Sequence, residues 1–268
     1  KIEVELEVKV KAIETNGDVR VEVVLGGMLS SKKGLNLPDT KISLPALTEK
    51  DLEDLDFAME NKFDFIAMSL VRTPDDVKLL KGILRSRGRD IPVIAKIERP
   101  EAIANIDAII SEADMLMVAR GDLGVEISVE EVPQLQKMII KKCNEKIKPV
   151  ITATQMLESM ISDQTPTRAE ASDVANSILD GTDCVMLSAE TSTGLYPLQS
   201  VSMMKKIIQK TEVQKKSTYF NEIFVEDAPE NILHTSCNSA CMIAERVSAK
   251  AIIAVPTITG NTPLIISN

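Results

Sequence analysis

No apolar run in the 268 residues approaches the roughly 20 needed to cross a bilayer as a helix, so no membrane partner is expected. Basic charge is also in short supply, with 31 Lys and Arg against 40 Asp and Glu and a formal net charge of −9. That balance excludes a general nucleic-acid binder, which needs a basic face. It leaves room for local basic patches that take phosphorylated small molecules. Cysteine is scarce: Cys143, Cys184, Cys237 and Cys241 make no disulfide framework, and reduced thiols in a cytoplasmic protein are the economical reading. A signal peptide is lacking, because residues 1–14, KIEVELEVKVKAIE, alternate apolar and charged side chains in the manner of a strand. A starting Met is lacking too, so the chain is read as beginning inside a longer one. What is abundant is core material, at 44% hydrophobic residues, with 26% charged residues to keep it in water.

Residues 1–37 read as β structure. Ile2, Val4, Leu6, Val8 and Val10 alternate, Glu14–Asp18 contains an Asn-Gly turn signal, and a second alternating run covers Val19–Leu25. A hairpin is expected there, as the tail of a small β domain. Over 38–216 short apolar runs alternate with amphipathic stretches. Thr48–Asp51 starts a capped helix. Phe63–Leu70 reads as a buried strand with Pro74–Arg87 as its helix, and Ile91–Ile97 is followed by a helix over Pro100–Glu112. Met115–Val118 leads to a helix near Val129–Lys146. Pro149–Ala153 leads to helical stretches over Gln155–Ile161 and Ala169–Asp180, and Cys184–Leu187 to a helix across Pro197–Lys216. Five strand–helix units in succession predict an α/β fold, part of a (β/α) barrel three strands short of eight. Over 217–268, a helix at Asn231–Ala249, a strand at Ala251–Val255 and a polar turn at Thr257–Thr262 read as the opening of a further α/β domain.

Each strand in the series ends on something polar: Ser69, Lys96 with Glu98, Asp122, Thr154, and Ser188 with Glu190. Lys96 and Glu98, two apart, project to one face of an extended strand. Arg120-Gly121-Asp122 closes the next strand. A cation, two carboxylates and a glycine-bounded turn therefore share one rim, where parallel α/β folds place their chemistry. The plainer alternative is that Lys96 and Glu98 merely pair at a strand end while Asp122 caps a helix.

The motifs SKKGLNLP (31–38), AKIERPEAIANID (95–107), MVARGDLGVE (117–126), KPVITATQMLESMI (148–161), PTRAEASDVANSILDGTDCVMLSAET (166–191) and YPLQSV (196–201) resemble those of pyruvate kinase. The resemblance extends over most of 31–216. It implies a partial TIM barrel, with the end of the β lid domain over 1–37 and the start of the C-terminal domain after 216. It also implies phosphoryl transfer from phosphoenolpyruvate to ADP, giving pyruvate and ATP. By that resemblance Lys96 is the catalytic lysine facing the phosphoryl group, and Glu98 and Asp122 are the ligands of Mg²⁺ or Mn²⁺. Gly121, Asp122 and Thr154 contact substrate, and Lys33 contacts the nucleotide. The residue types suit the chemistry, since a phosphoryl group in transfer is stabilised mainly by positioning and compensating charge. The family's K⁺ site and part of its substrate clamp come from a segment not found before Lys1. A cytoplasmic homotetramer is the implied assembly for the full-length protein.

Two departures stand out. Ala189 replaces the usual Gly of LSGE, leaving Glu190 in place, and Asn261 stands where many members carry a basic residue in the effector loop, so effector binding is not expected. His234, Cys237 and Cys241 fall at helical spacing but lack a further ligand, and packing is the favoured reading. Met156, Leu157 and Met160 read as core, and the acidic cluster Asp51, Glu53, Asp54 and Asp56 as a solvated helix face. The alternatives kept open are a non-catalytic truncated module and a different Mg²⁺-dependent barrel enzyme acting on phosphoenolpyruvate or a keto acid. The isolated chain is expected to be inactive.

Overall fold

The computed structural model describes residues 7–27, 45–218, 232–255, 262–263 and 266. Lys33, the 31–38 motif and most of the 257–262 turn, with Asn261, lie outside the described residues. Contacts divide the chain into two compact units, Lys1–Thr40 and Lys41–Asn268.

In the first unit, β1 (Glu7–Ile13) pairs antiparallel with β2 (Val19–Leu25), with Ile13 opposite Val19. The expected hairpin is present. Gly17 takes φ 88° at its tip, and the Asn16 amide donates to Asp18 Oδ2 at 2.8 Å. Positive φ is available to glycine at little cost, which is why the turn falls there.

The second unit begins with α1 (Glu49–Glu60), capped as expected by a reciprocal box between Thr48 and Asp51. Five strands follow, β3 (Ile66–Met68), β4 (Val93–Ile97), β5 (Met115–Ala119), β6 (Val150–Ala153) and β7 (Cys184–Met186). They form one parallel sheet in the order β3-β4-β5-β6-β7. Strand order equals chain order, so all five carboxyl ends lie on one edge of the sheet. The intervening helices are α2 (Pro74–Ser86), α3 (Pro100–Ala104), α4 (Ile106–Glu112), α5 (Arg120–Glu126), α6 (Val132–Glu145) and α7 (Arg168–Leu179). After β7 come α8 (Ala189–Ser192), α9 (Pro197–Thr218) and α10 (Ile232–Arg246).

The two sheet faces carry different cores. On the helix side Val93, Ile97, Leu116 and Val118 are fully buried and join Ile109 and Ile139 in one apolar cluster. The other face is a smaller cluster of Ile94, Met117 and Ala153, edged by Met115, Ile151 and Met186. Met156, Leu157 and Met160 pack against Val174 and Met204, as core residues.

Four local expectations are corrected. Phe63–Leu70 is not a buried strand: β3 spans three residues on the sheet edge, only Met68 within it is buried, and Phe63 and Phe65 are exposed. The helix over Pro100–Glu112 is broken at Asn105, whose side-chain amide donates to Arg72 O and Glu101 O, both at 3.0 Å. Asn readily makes such local bonds in competition with helix hydrogen bonding. No helix starts at Gln155, because Thr154 and Gln155 both take positive φ, leaving a 3₁₀ turn over Glu158–Ile161. Ala251–Val255 is not a strand, since it finds no partner strand among the described residues.

The segment after β6 is tied down by Glu170. Its carboxylate accepts from Ser159 N and Ser159 Oγ, both at 2.6 Å, and from Thr167 N at 2.7 Å and Thr167 Oγ1 at 2.9 Å. Burial acts to raise this carboxyl, but the Ser159 and Thr167 donors outweigh it and hold it below the usual range. The unfolded chain therefore takes up this proton first, so the stabilisation is complete above the ordinary carboxylate pKa and is lost as pH falls through the depressed value. Glu170→Gln should cost about 1–2 kcal/mol at neutral pH. Urea unfolding should show that difference shrinking toward zero in acid. A second check concerns Cys143, whose thiol is pushed up to about 12, mainly by burial with Asp183 adding to it. Iodoacetamide at pH 8 should leave Cys143 unmodified in the folded protein and alkylate it in urea.

Candidate active site on the strand-end rim

The register sets Met68 beside Ala95, so Ser69 and Lys96 leave adjacent strands side by side. Lys96 Nζ lies 2.8 Å from Ser69 Oγ and 2.5 Å from Glu98 Oε1. Glu98 is 2% exposed. Its second oxygen accepts from the Leu70 amide at 2.7 Å. A buried carboxylate is costly unless it is paired and hydrogen-bonded, and here both oxygens are answered. Leu70 presents its amide from a left-handed backbone, φ 54°. Sequence reasoning identified Lys96 and Glu98 but missed Leu70, since a backbone donor leaves no mark in side-chain identity.

The next pair of strands brings Ala119 opposite Ala153. Arg120, Gly121 and Asp122 therefore stand beside Thr154. They form the first turn of α5 and not the glycine-bounded turn expected, so Asp122 lies inside the helix. The Gly121 amide donates to Thr154 Oγ1 at 2.7 Å, and that hydroxyl donates to Ala153 O at 2.6 Å. A Cβ on Gly121 would meet Thr154 Oγ1 at 3.3 Å, so the close approach favours glycine. Asp122 is half-buried, pairs with no cation among the described residues, and gains from the partial positive charge of a helix start. Arg120, assigned no role from the sequence, is 7% exposed and turned toward the backbone after β6.

Glu190 is likewise buried at 2%, accepting from Leu157 N at 3.1 Å and Ser188 N at 2.7 Å. It ties the segment after β6 to the end of β7. The structure thus groups Lys96 with Glu98 and Ser69, and Gly121 with Thr154, at the carboxyl ends of neighbouring strands. Lys33 falls outside the described residues.

Glu98 and Asp122 suit a hard divalent cation. They offer carboxylate oxygens at the ends of adjacent strands, and Glu98 Oε1 already faces an ammonium in a buried setting. No group of three or more His, Cys, Asp or Glu is poised for a metal among the described residues. A carboxylate pair that leaves positions for water and substrate oxygens is the habit of Mg²⁺ sites, not of closed protein cages.

Known proteins resemble this chain over most of its length. The model of the family "Pyruvate kinase, barrel domain" matches residues 3–201. A pyruvate kinase of Corynebacterium efficiens is 49% identical over 251 residues, 94% of this chain and 52% of its own length. That of Geobacillus stearothermophilus is 45% identical over 272 residues, 98% of this chain and 45% of its own. That of Clostridium perfringens is 46% identical over 265 residues, 98% and 56% respectively. The chain spans about half the length of the curated relatives it matches. On the extent of these matches, the chain belongs to the pyruvate kinase family.

Proposed function

We propose that the protein carrying this chain transfers the phosphoryl group of phosphoenolpyruvate to ADP, giving pyruvate and ATP. The observation that carries this reading is the Lys96–Glu98 pair beside the Gly121–Thr154 contact on one rim, in a chain of this family. Lys96 supplies a compact ammonium, hydrogen-bonded by Ser69, that compensates the charge spread over the transferring phosphoryl oxygens. Glu98 and Asp122 would hold Mg²⁺ or Mn²⁺, which when bound would supply Lewis-acid polarisation of substrate oxygens. The start of α5 favours the substrate's anionic carboxylate, with Gly121, Asp122 and the Thr154 hydroxyl as the contacts around it. Lys33 completes the nucleotide side. K⁺ belongs to the full-length protein and is assigned to no residue of this chain.

The resemblance further supports a cytoplasmic homotetramer for the full-length protein. No helix among the described residues is long and apolar enough to cross a membrane.

Pyruvate release from phosphoenolpyruvate, ADP, Mg²⁺ and K⁺ by the full-length protein tests the reading, and lyase or mutase products in its place would overturn it. Lys96→Met should abolish turnover with an unchanged circular dichroism spectrum. Glu98→Gln should weaken Mn²⁺ binding, followed by electron paramagnetic resonance, by at least about tenfold, since even losing a residue behind a ligand commonly costs that much.

A further inference from the structure

The Arg120 guanidinium is the most heavily committed polar group in the described structure. Nε donates to Thr154 O at 3.3 Å, and Nη2 to Thr154 O at 2.8 Å and Gln155 O at 3.1 Å. Nη2 also lies 2.9 Å from Met156 Sδ. Nη1 reaches Asp173 Oδ1 at 2.7 Å and Gln136 Oε1 at 3.2 Å. An arginine in a rim of this kind invites assignment as a ligand for substrate phosphate. The contacts oppose that, because every edge of the planar fork already meets an acceptor of this chain.

Two of those acceptors are unusual. Thr154 and Gln155 hold φ of 67° and 53°, consecutive left-handed residues without a glycine. Such backbone costs about 1–3 kcal/mol per residue and persists only when its surroundings impose it. A β-branched residue suffers most. The two carbonyls converge on a single charged donor held in place by Asp173 on α7 and Gln136 on α6. Gln136 is braced in turn by Asp180, through Nε2 to Oδ2 at 3.0 Å.

Residue 120 therefore holds the main chain of Thr154 while residue 121 holds its hydroxyl. We propose that Arg120 is a positioning residue: it clamps the left-handed Thr154–Gln155 pair, and through that pair aims the Thr154 hydroxyl at the rim. Arg120 does not touch substrate itself. Its catalytic part rests on the reading of Thr154 as a substrate contact, whereas the clamp rests on geometry alone. Lysine in its place keeps the charge but loses the fork that spans two carbonyls and a carboxylate.

The test is a double-mutant cycle in the full-length protein, with Arg120→Lys, Thr154→Ala and both together, alongside a crystal structure of Arg120→Lys. Arg120→Lys should lower kcat for pyruvate formation by about a hundredfold, the scale of a small misplacement of a reacting group. In the Thr154→Ala background the same change should have little further effect, because both act through one hydroxyl. Adding Gln155→Gly to Arg120→Lys should recover activity, since glycine takes positive φ without a brace. A residue that serves only stability would lower the melting temperature and leave kcat per folded molecule unchanged, and that result overturns the proposal. Multiplicative effects in the cycle also overturn it. If the wild type forms no pyruvate, the functional reading fails, and the crystal structure alone decides the clamp. There, Thr154 still left-handed and 2.7 Å from the Gly121 amide would sink it, and a relaxed backbone would bear it out.

Discussion

Glu98 is a carboxylate buried to 2% exposure at the end of a central strand. An ion so placed forfeits several kcal/mol of hydration unless the fold returns charge and donors to it. Much of the rim follows from that demand. One oxygen draws in the Lys96 ammonium, which leaves Lys96 committed beside Ser69 instead of free in solvent. The other fixes the Leu70 amide, and so the path of the chain as it leaves β3. Removing the charge would therefore disturb two strands and a cation together.

The same demand accounts for backbone strain at the rim. Leu70, Thr154 and Gln155 are left-handed, and all three directly follow strands whose ends contribute to the site. Lys62, Ile147 and Ser248 are left-handed as well, away from the rim, and the rim ends of β4 and β5 carry their site residues without such conformations. At the rim, the hydrogen bond that Leu70 donates to Glu98 and those that Arg120 donates to Thr154 and Gln155 oppose relaxation of the strain.

Much of this was legible in residue order. Alternation and run length located all five parallel strands, and the spacing of Lys96 and Glu98 placed them on one face, because a strand's period of two is local information. Thr154 and Asp122 stood out as polar residues just past apolar runs, and both do follow strands. The break at Asn105 did not stand out, since an asparagine within a helical pattern is common and its bond to Arg72 O depends on a loop 33 residues away. Arg120 was missed for a related reason. A charged residue in a polar rim reads as solvent-facing, and nothing in its neighbours announces acceptors from the segment after β6 and from α6 and α7. The edge position of β3 was hidden as well, because an apolar run looks the same whether one flank or both is covered.

Strand order that equals chain order has a bearing on synthesis. Leu70 and Glu98 are 28 residues apart, Ser69 and Lys96 are 27, and Gly121 and Thr154 are 33. Each of these three contacts therefore closes over a span of one unit, whereas the Arg120–Asp173 bond spans 53 residues. Local closures of this length cost little loop entropy and favour rapid folding. As the chain leaves the ribosome, the Lys96 half of the rim has all its partners before Thr154 has been translated.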